Sequence, residues 1–163
     1  IADLLSISAS ITGLVTLVDV VFLWLIKYVK SVKNVETEIS DLCKEVNTLG
    51  GAVSMLSRLV RGFEAEDKPI IVTFRIHHIE GCAKILTKIS NETKKLEENP
   101  KSRVKKLIWP FTSTKTTGML AELSRHKENI NLALSAQSME LLLCCLAKEE
   151  DRQRSLAEVM ADV

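Results

Sequence analysis

His77, His78 and Cys82 are the residues whose types and spacing come nearest to chemistry, because His78 and Cys82 stand one helical turn apart and could hold a metal from one face. A structural zinc needs four ligands and a catalytic zinc three plus water. His126, the remaining histidine, and Cys43, Cys144 and Cys145 offer no complementary spacing. The expectation is therefore no metal. A Cys–His nucleophile would need a base and an orienting group in a preformed cleft, and no residue pattern marks one. The chain has no GxGxxG, phosphate-binding loop or HExxH motif, so neither a cofactor nor catalysis is expected.

The elements carrying these residues are helical in pattern. The chain has 163 residues, 46% apolar and 26% charged, with six glycines, three prolines and 4% aromatics. That is one globular domain of helix-forming residues, spanning 1–163. All four cysteines lie in apolar-periodic segments. Cys144 and Cys145, being adjacent, point to different faces and could not join one partner. Buried, reduced thiols are the expectation, which suits an intracellular protein. The net charge of +1 gives no basis for a nucleic-acid partner.

Residues 1–26, IADLLSISASITGLVTLVDVVFLWLI, set the first problem. Only Asp3 and Asp19 carry charge there, and Lys27 is the first basic residue. Of the apolar residues there, the candidates for membrane insertion are Leu4, Leu5, Ile7, Ile11, Leu14, Val15, Leu17, Val18, Val21, Phe22 and Leu25. Ser8, Thr12, Thr16 and Asp19 fall within about 80° of arc, one narrow polar stripe on a helix otherwise apolar all round. Such a helix is central to a bundle, spans lipid, or does each in turn. About 20 residues cover a bilayer core, but an Asp near its centre costs about 2.5–3.5 kcal/mol. Insertion is easier if several helices turn the polar stripe towards a shared aqueous lumen. No basic leading segment or clear cleavage site marks residues 1–26 as a signal peptide.

The first helix is expected over about 1–33, turning at 31–34, with Asn34 capping the second and Glu36 and Glu38 in its first turn. The second, about 35–63, carries Val35, Ile39, Leu42, Val46, Leu49, Val53, Leu56, Val60 and Phe63 at alternating four- and three-residue spacing, a heptad seam. The seam continues past Gly50 and Gly51, which predicts a close helix approach or a kink there. Pro69 suits the start of a third helix, which runs over about 70–98 and ends at Asn99 and Pro100. Its apolar face holds Ile71, Phe74, His78, Cys82, Ile85, Ile89 and Leu96. A basic segment follows at 101–109. A fourth helix over about 116–163 carries Leu120, Leu123, Lys127, Ile130, Leu134, Gln137 and Leu141, with 141–146 apolar on every side and so expected to be buried. The polar residues after it either extend that helix or turn into a short fifth. The fold class is all-α, a four-helix bundle.

Lys27, Lys30 and Lys33 follow the apolar run, and Lys94, Lys95, Lys101, Arg103, Lys105 and Lys106 bracket Pro100. They are either ordinary solvated lysines and arginine or a set that meets anionic lipid headgroups, each then contributing about 1 kcal/mol.

Two stretches carry a resemblance. LLSISASITGLVTLVDVVFLWLIKYVKSVKN is similar to the start of fungal HeLo-like domains, and so is LIWPFTSTKTTGMLAELSRHKENINLALS, where Trp-Pro-Phe precedes a helix ending in Asn-Leu-Ala-Leu. The family resembles the four-helix executioner domain of the mixed lineage kinase domain-like protein and plant immune-receptor coiled-coil domains. The resemblance implies an inducible cell-death domain, cytoplasmic at rest and at the plasma membrane when active. Its first helix would be the buried centre of the bundle, released on self-oligomerisation to insert and permeabilise. It further implies a fungal NOD-like receptor or an amyloid signalling motif as the linked or upstream partner. No such motif or nucleotide-binding domain lies within these residues: either one lies beyond Val163, or the chain departs from that architecture. A non-lytic adaptor or oligomerisation domain of such a receptor is the alternative.

Overall fold

The computed structural model describes residues 4–66, 76–98 and 108–161. They form four helices: α1 over Leu4–Ser31, α2 over Thr37–Glu66, α3 over His77–Glu98 and α4 over Ser113–Ala161. The chain is all-α, a four-helix bundle. The helices form a ring in which α1 packs on α2 and α3, and α4 packs on the opposite side of the same two.

Each helix buries one stripe. From α1 come Ile11, Leu14, Val18, Val21, Leu25 and Tyr28. The heptad seam of α2 supplies Ile39, Leu42, Val46, Leu49, Val53, Leu56 and Val60, as its spacing predicts. From α3 come Ile79, Cys82, Ile85, Leu86 and Ile89, and from α4 Met119, Leu123 and Ile130. The glycine pair in α2 proves to be a close approach. A Cβ on Gly50 would sit 3.1 Å from Val18 Cγ1, so the missing side chain is what lets α1 lie against α2.

Several boundaries differ from the sequence reading. Helix α2 starts at Thr37, and the Glu36 carbonyl, not Asn34, receives its first backbone bonds, from Ile39 and Ser40. Helix α4 starts three residues early. Thr112 caps it by accepting a hydrogen bond from the Lys115 N–H, and the Thr112 carbonyl accepts from Thr116. The polar tail does not fold back. Helix α4 runs unbroken for 49 residues, about 73 Å at 1.5 Å per residue. Its last buried side chain is Gln137, so the second half projects past the end of the bundle. The stretch 141–146 is therefore exposed rather than buried, with Leu142 and Leu143 each 60% accessible. Cys144 and Cys145 are likewise exposed, while Cys43 and Cys82 are buried. The expected first turn of the third helix, with Pro69, Ile71 and Phe74, and the basic residues Lys101, Arg103, Lys105 and Lys106 lie outside the described residues.

Candidate membrane-active surface

Helix α1 is a side of the ring rather than its centre. Over Ser6–Ser31 it is long and apolar enough to cross a membrane, yet only 28% of its apolar window is buried. Among the described helices α2 and α3 pack on it, Trp109 closes on its C-terminal end, and Thr12, Thr16, Asp19, Val20 and Leu23 face solvent. Of the apolar residues named from sequence, Ile11, Leu14, Val18, Val21 and Leu25 are buried, and Ile7, Val15, Leu17 and Phe22 are half-buried against the same core. The side chains of Leu4 and Leu5 lie outside the described ones. Sequence reasoning passed over Val20 and Leu23, which are the α1 apolar residues that face solvent, Leu23 at 68%. With Trp24 and Lys27 they line a shallow groove against Ser90, Thr93, Lys94 and Glu97 of α3.

The polar stripe lies on the outer face. Thr12, Thr16 and Asp19 are exposed and Ser8 is half-buried. The Thr16 hydroxyl donates to the Thr12 carbonyl one turn back, which satisfies it inside the helix itself. Asp19 borders a second shallow groove, against Asn47, Gly50 and Ser54 of α2. Lys27, Lys30 and Lys33 are exposed at the C-terminal end of α1.

At that end an aromatic cluster fastens the helix. Trp24 stacks on Tyr28 with centroids 5.5 Å apart, and Trp109 closes on both, at 6.1 and 5.7 Å. Phe111 meets Trp109 edge-on at 5.5 Å, with Lys115 over its ring. The Trp109 indole N–H donates to Thr116 Oγ1 at 2.7 Å, and that hydroxyl donates in turn to the Thr112 carbonyl. Thus the start of α4 aims Trp109 at α1. Trp24 Nε1 is buried with no hydrogen-bond partner, a cost carried by this contact. The sequence signal was the Trp-Pro-Phe at 109–111, which marks the site but not its partners Trp24 and Tyr28, more than eighty residues earlier in the chain.

The bundle behind α1 has its own fastenings. Lys127 and Glu45 pair at 2.7 Å, both largely buried, and Lys127 also donates to Thr48 Oγ1 at 3.1 Å, tying α4 to α2. Ser113 donates to Glu38 at the head of the same interface. On α3, His78 turns to His126 rather than to Cys82, with their Nδ1 atoms 3.0 Å apart. Gly81 makes room for the His126 ring, which a Cβ there would overlap. Burial, with the charge of Arg125, holds His126 below the usual histidine range. Burial pushes the Cys82 thiol up to about 12, which makes it inert. Among the described residues no three His, Cys, Asp or Glu side chains gather as a metal site. Sequence spacing missed the His78 and His126 contact, because the two lie on different helices.

Helix α4 is the second helix long and apolar enough to cross a membrane, with 11% of its apolar window buried. No family model, curated protein or solved structure matches the chain.

Proposed function

We propose that this chain is an inducible membrane-permeabilising domain of the HeLo-like kind, with α1 as the element that leaves the bundle and enters the bilayer. The observation that carries the reading is the position of α1. It is the first of the four helices, long and apolar enough to span a membrane, and it lies along one side of a ring whose α2–α4 and α3–α4 contacts do not involve it.

In the resting state, cytoplasmic in this reading, the apolar face of α1 is covered by α2 and α3, and the aromatic cluster holds its C-terminal end. Self-association, driven by a linked receptor or amyloid motif, loosens that hold. Several α1 helices then enter the plasma membrane with Ser8, Thr12, Thr16 and Asp19 turned towards one another. Grouping the stripe in an aqueous lumen offsets the cost of an intramembrane carboxylate. Lys27, Lys30 and Lys33, with Lys101, Arg103, Lys105 and Lys106, meet anionic headgroups. The reading contains no catalytic step and needs no cofactor.

The test is dye release from anionic liposomes by the chain fused to an inducible oligomerising tag, alongside toxicity on expression. Release that requires both oligomerisation and α1 is expected. Folded, oligomerised protein that neither releases dye nor kills would overturn the reading.

The alternative is a non-lytic adaptor domain, and the projecting half of α4 favours it, since an exposed apolar helix suits docking to another protein. An adaptor keeps its signalling output when the exposed Val20 and Leu23 are changed to glutamate, which leaves the buried face of α1 intact but bars insertion. A permeabilising domain loses it.

A further inference from the structure

Past Gln137, α4 continues to Ala161 as a rod of about 36 Å with no neighbour among the described residues. A lone helix of this length is marginal in water. Leu142, Leu146, Leu156 and Met160 are 54–79% exposed along it. With Glu149 and Gln153 they alternate spacings of four and three, which makes one continuous seam down the rod. Leu143 and Val159 flank it.

We propose that this projecting half of α4 is a self-association arm, pairing antiparallel with the same segment of a second copy of the chain about a two-fold axis beside Asp151. The residue order reads alike from both ends about that point. Leu142 comes level with Met160 of the other copy, Leu146 with Leu156, and Glu149 with Gln153, and each contact occurs twice, as an isologous interface requires.

Charge selects the direction. Glu149, Glu150 and Asp151 precede Arg152 and Arg154. About the axis beside Asp151, Glu150 of each copy comes level with Arg152 of the other, while Asp151 meets its own equivalent and Lys148 meets Arg154; parallel copies set every one of these charges level with its like. The in-chain pairs of Arg152 with Glu149 and Arg154 with Asp151 are exposed, so their members are free to exchange partners across the interface. Size also fits. Twelve large apolar side chains across the pair, at roughly 100 Å² each, bury about 1,200 Å², the lower edge of a stable interface. Ala161, the last described residue of the arm, comes level with Leu141 of the other copy, so the paired segments end short of Gln137, where the other bundle begins.

A bilayer is the poorer occupant. The exposed apolar stretch 139–146 is about 12 Å long, against a hydrocarbon core of about 30 Å. A spanning stretch of α4 would have to draw Ile130 and Gln137 out of the bundle and carry Glu140 with them.

Sedimentation velocity of the whole chain at micromolar concentration tests the pairing, with a dimer expected. Leu146→Glu with Leu156→Glu should give a monomer whose bundle melts as before. Replacing Glu149, Glu150 and Asp151 by Lys, or Arg152 and Arg154 by Glu, should each give monomers that form a heterodimer on mixing. That rescue keeps the proposal testable should the leucine variant misfold. Val159→Cys in a Cys144→Ser background should form a covalent dimer through Cys145 under mild oxidation, and Cys144→Ser alone should not. A monomeric wild-type chain, a monomer that binds neutral vesicles through the arm, mutant mixtures that stay monomeric, or a Cys145 to Cys145 crosslink would each overturn it.

Discussion

Trp109 gives its indole proton to Thr116, and the ring so fixed closes on Trp24 and Tyr28. One hydroxyl at the head of α4 thereby sets how firmly α1 is held. Trp109→Ala should destabilise the bundle by about 3 kcal/mol, as large aromatic deletions do. Thr116→Val removes one hydrogen bond and should lose about 1 kcal/mol. Urea melts give both numbers. If α1 is the inserting element, both variants should also release liposome dye at lower protein concentration than wild type.

The two glycines of α2 should respond oppositely to substitution. Gly50→Leu drives a side chain into Val18 and should destabilise by about 1–3 kcal/mol. Gly51 has open space where a Cβ would go, so Gly51→Ala should stabilise by up to about 1 kcal/mol through helix propensity alone. Thermal melts of the pair decide it. Equal effects would mean that α1 and α2 are not in close contact at Gly50.

Gln137 is buried where α4 leaves the bundle, and its Oε1 has no hydrogen-bond partner. Gln137→Leu should raise stability by about 1 kcal/mol, because an unsatisfied acceptor is replaced by an apolar group of similar size. Denaturant midpoints with an unchanged slope would confirm it.

His126 makes stability depend on pH in a stated direction. Burial first and Arg125 second disfavour its charged form; Glu122 opposes them, and His77 adds a smaller effect in the same direction as Arg125. Its folded pKa lies below that of the unfolded chain, about 6.5. The unfolded state therefore binds the proton more readily, and the contribution of this group is full above pH 6.5. Stability should fall as pH drops from about 6.5 to the folded pKa and change no further below it on account of this group. Protonation of both rings also forbids the contact between His78 and His126 Nδ1. Urea melts across this window should show the loss, and His126→Gln should flatten it.

Asp19 faces solvent on the outer side of α1, so Asp19→Leu should leave the melting temperature nearly unchanged. Its effect belongs to the membrane state. A lumen-facing carboxylate predicts altered conductance of α1 pores in planar bilayers, whereas a helix that only anchors predicts tighter vesicle binding and no change in conductance.

Periodicity made the bundle legible. The α2 seam named the buried residues Ile39, Leu42, Val46, Leu49, Val53, Leu56 and Val60, though not Cys43 or Ala52, and the glycine pair announced a close approach or a kink, of which Gly50 supplies the approach. Two kinds of information were beyond its reach. The apolar stretch 141–146 reads as core because local pattern reports hydrophobicity and not whether a neighbour reaches that far. Here the other three helices stop short of it. The site fared similarly: the outward stripe of Ser8, Thr12, Thr16 and Asp19 was visible from helical spacing, but Trp109 against Trp24 and His126 against His78 depend on how separate helices meet.

The link at 32–36 and the aromatic cluster stand at the same end of α1. Leu4, at the other end, is the residue of α1 farthest from both. Opening that begins there moves α1 like an arm on a pivot, and a 28-residue helix sweeps its tip through about 40 Å while its base stays in place. Amide protons should report that gradient, exchanging fastest near Ile7 and slowest near Leu25, with α2 and α3 protected throughout.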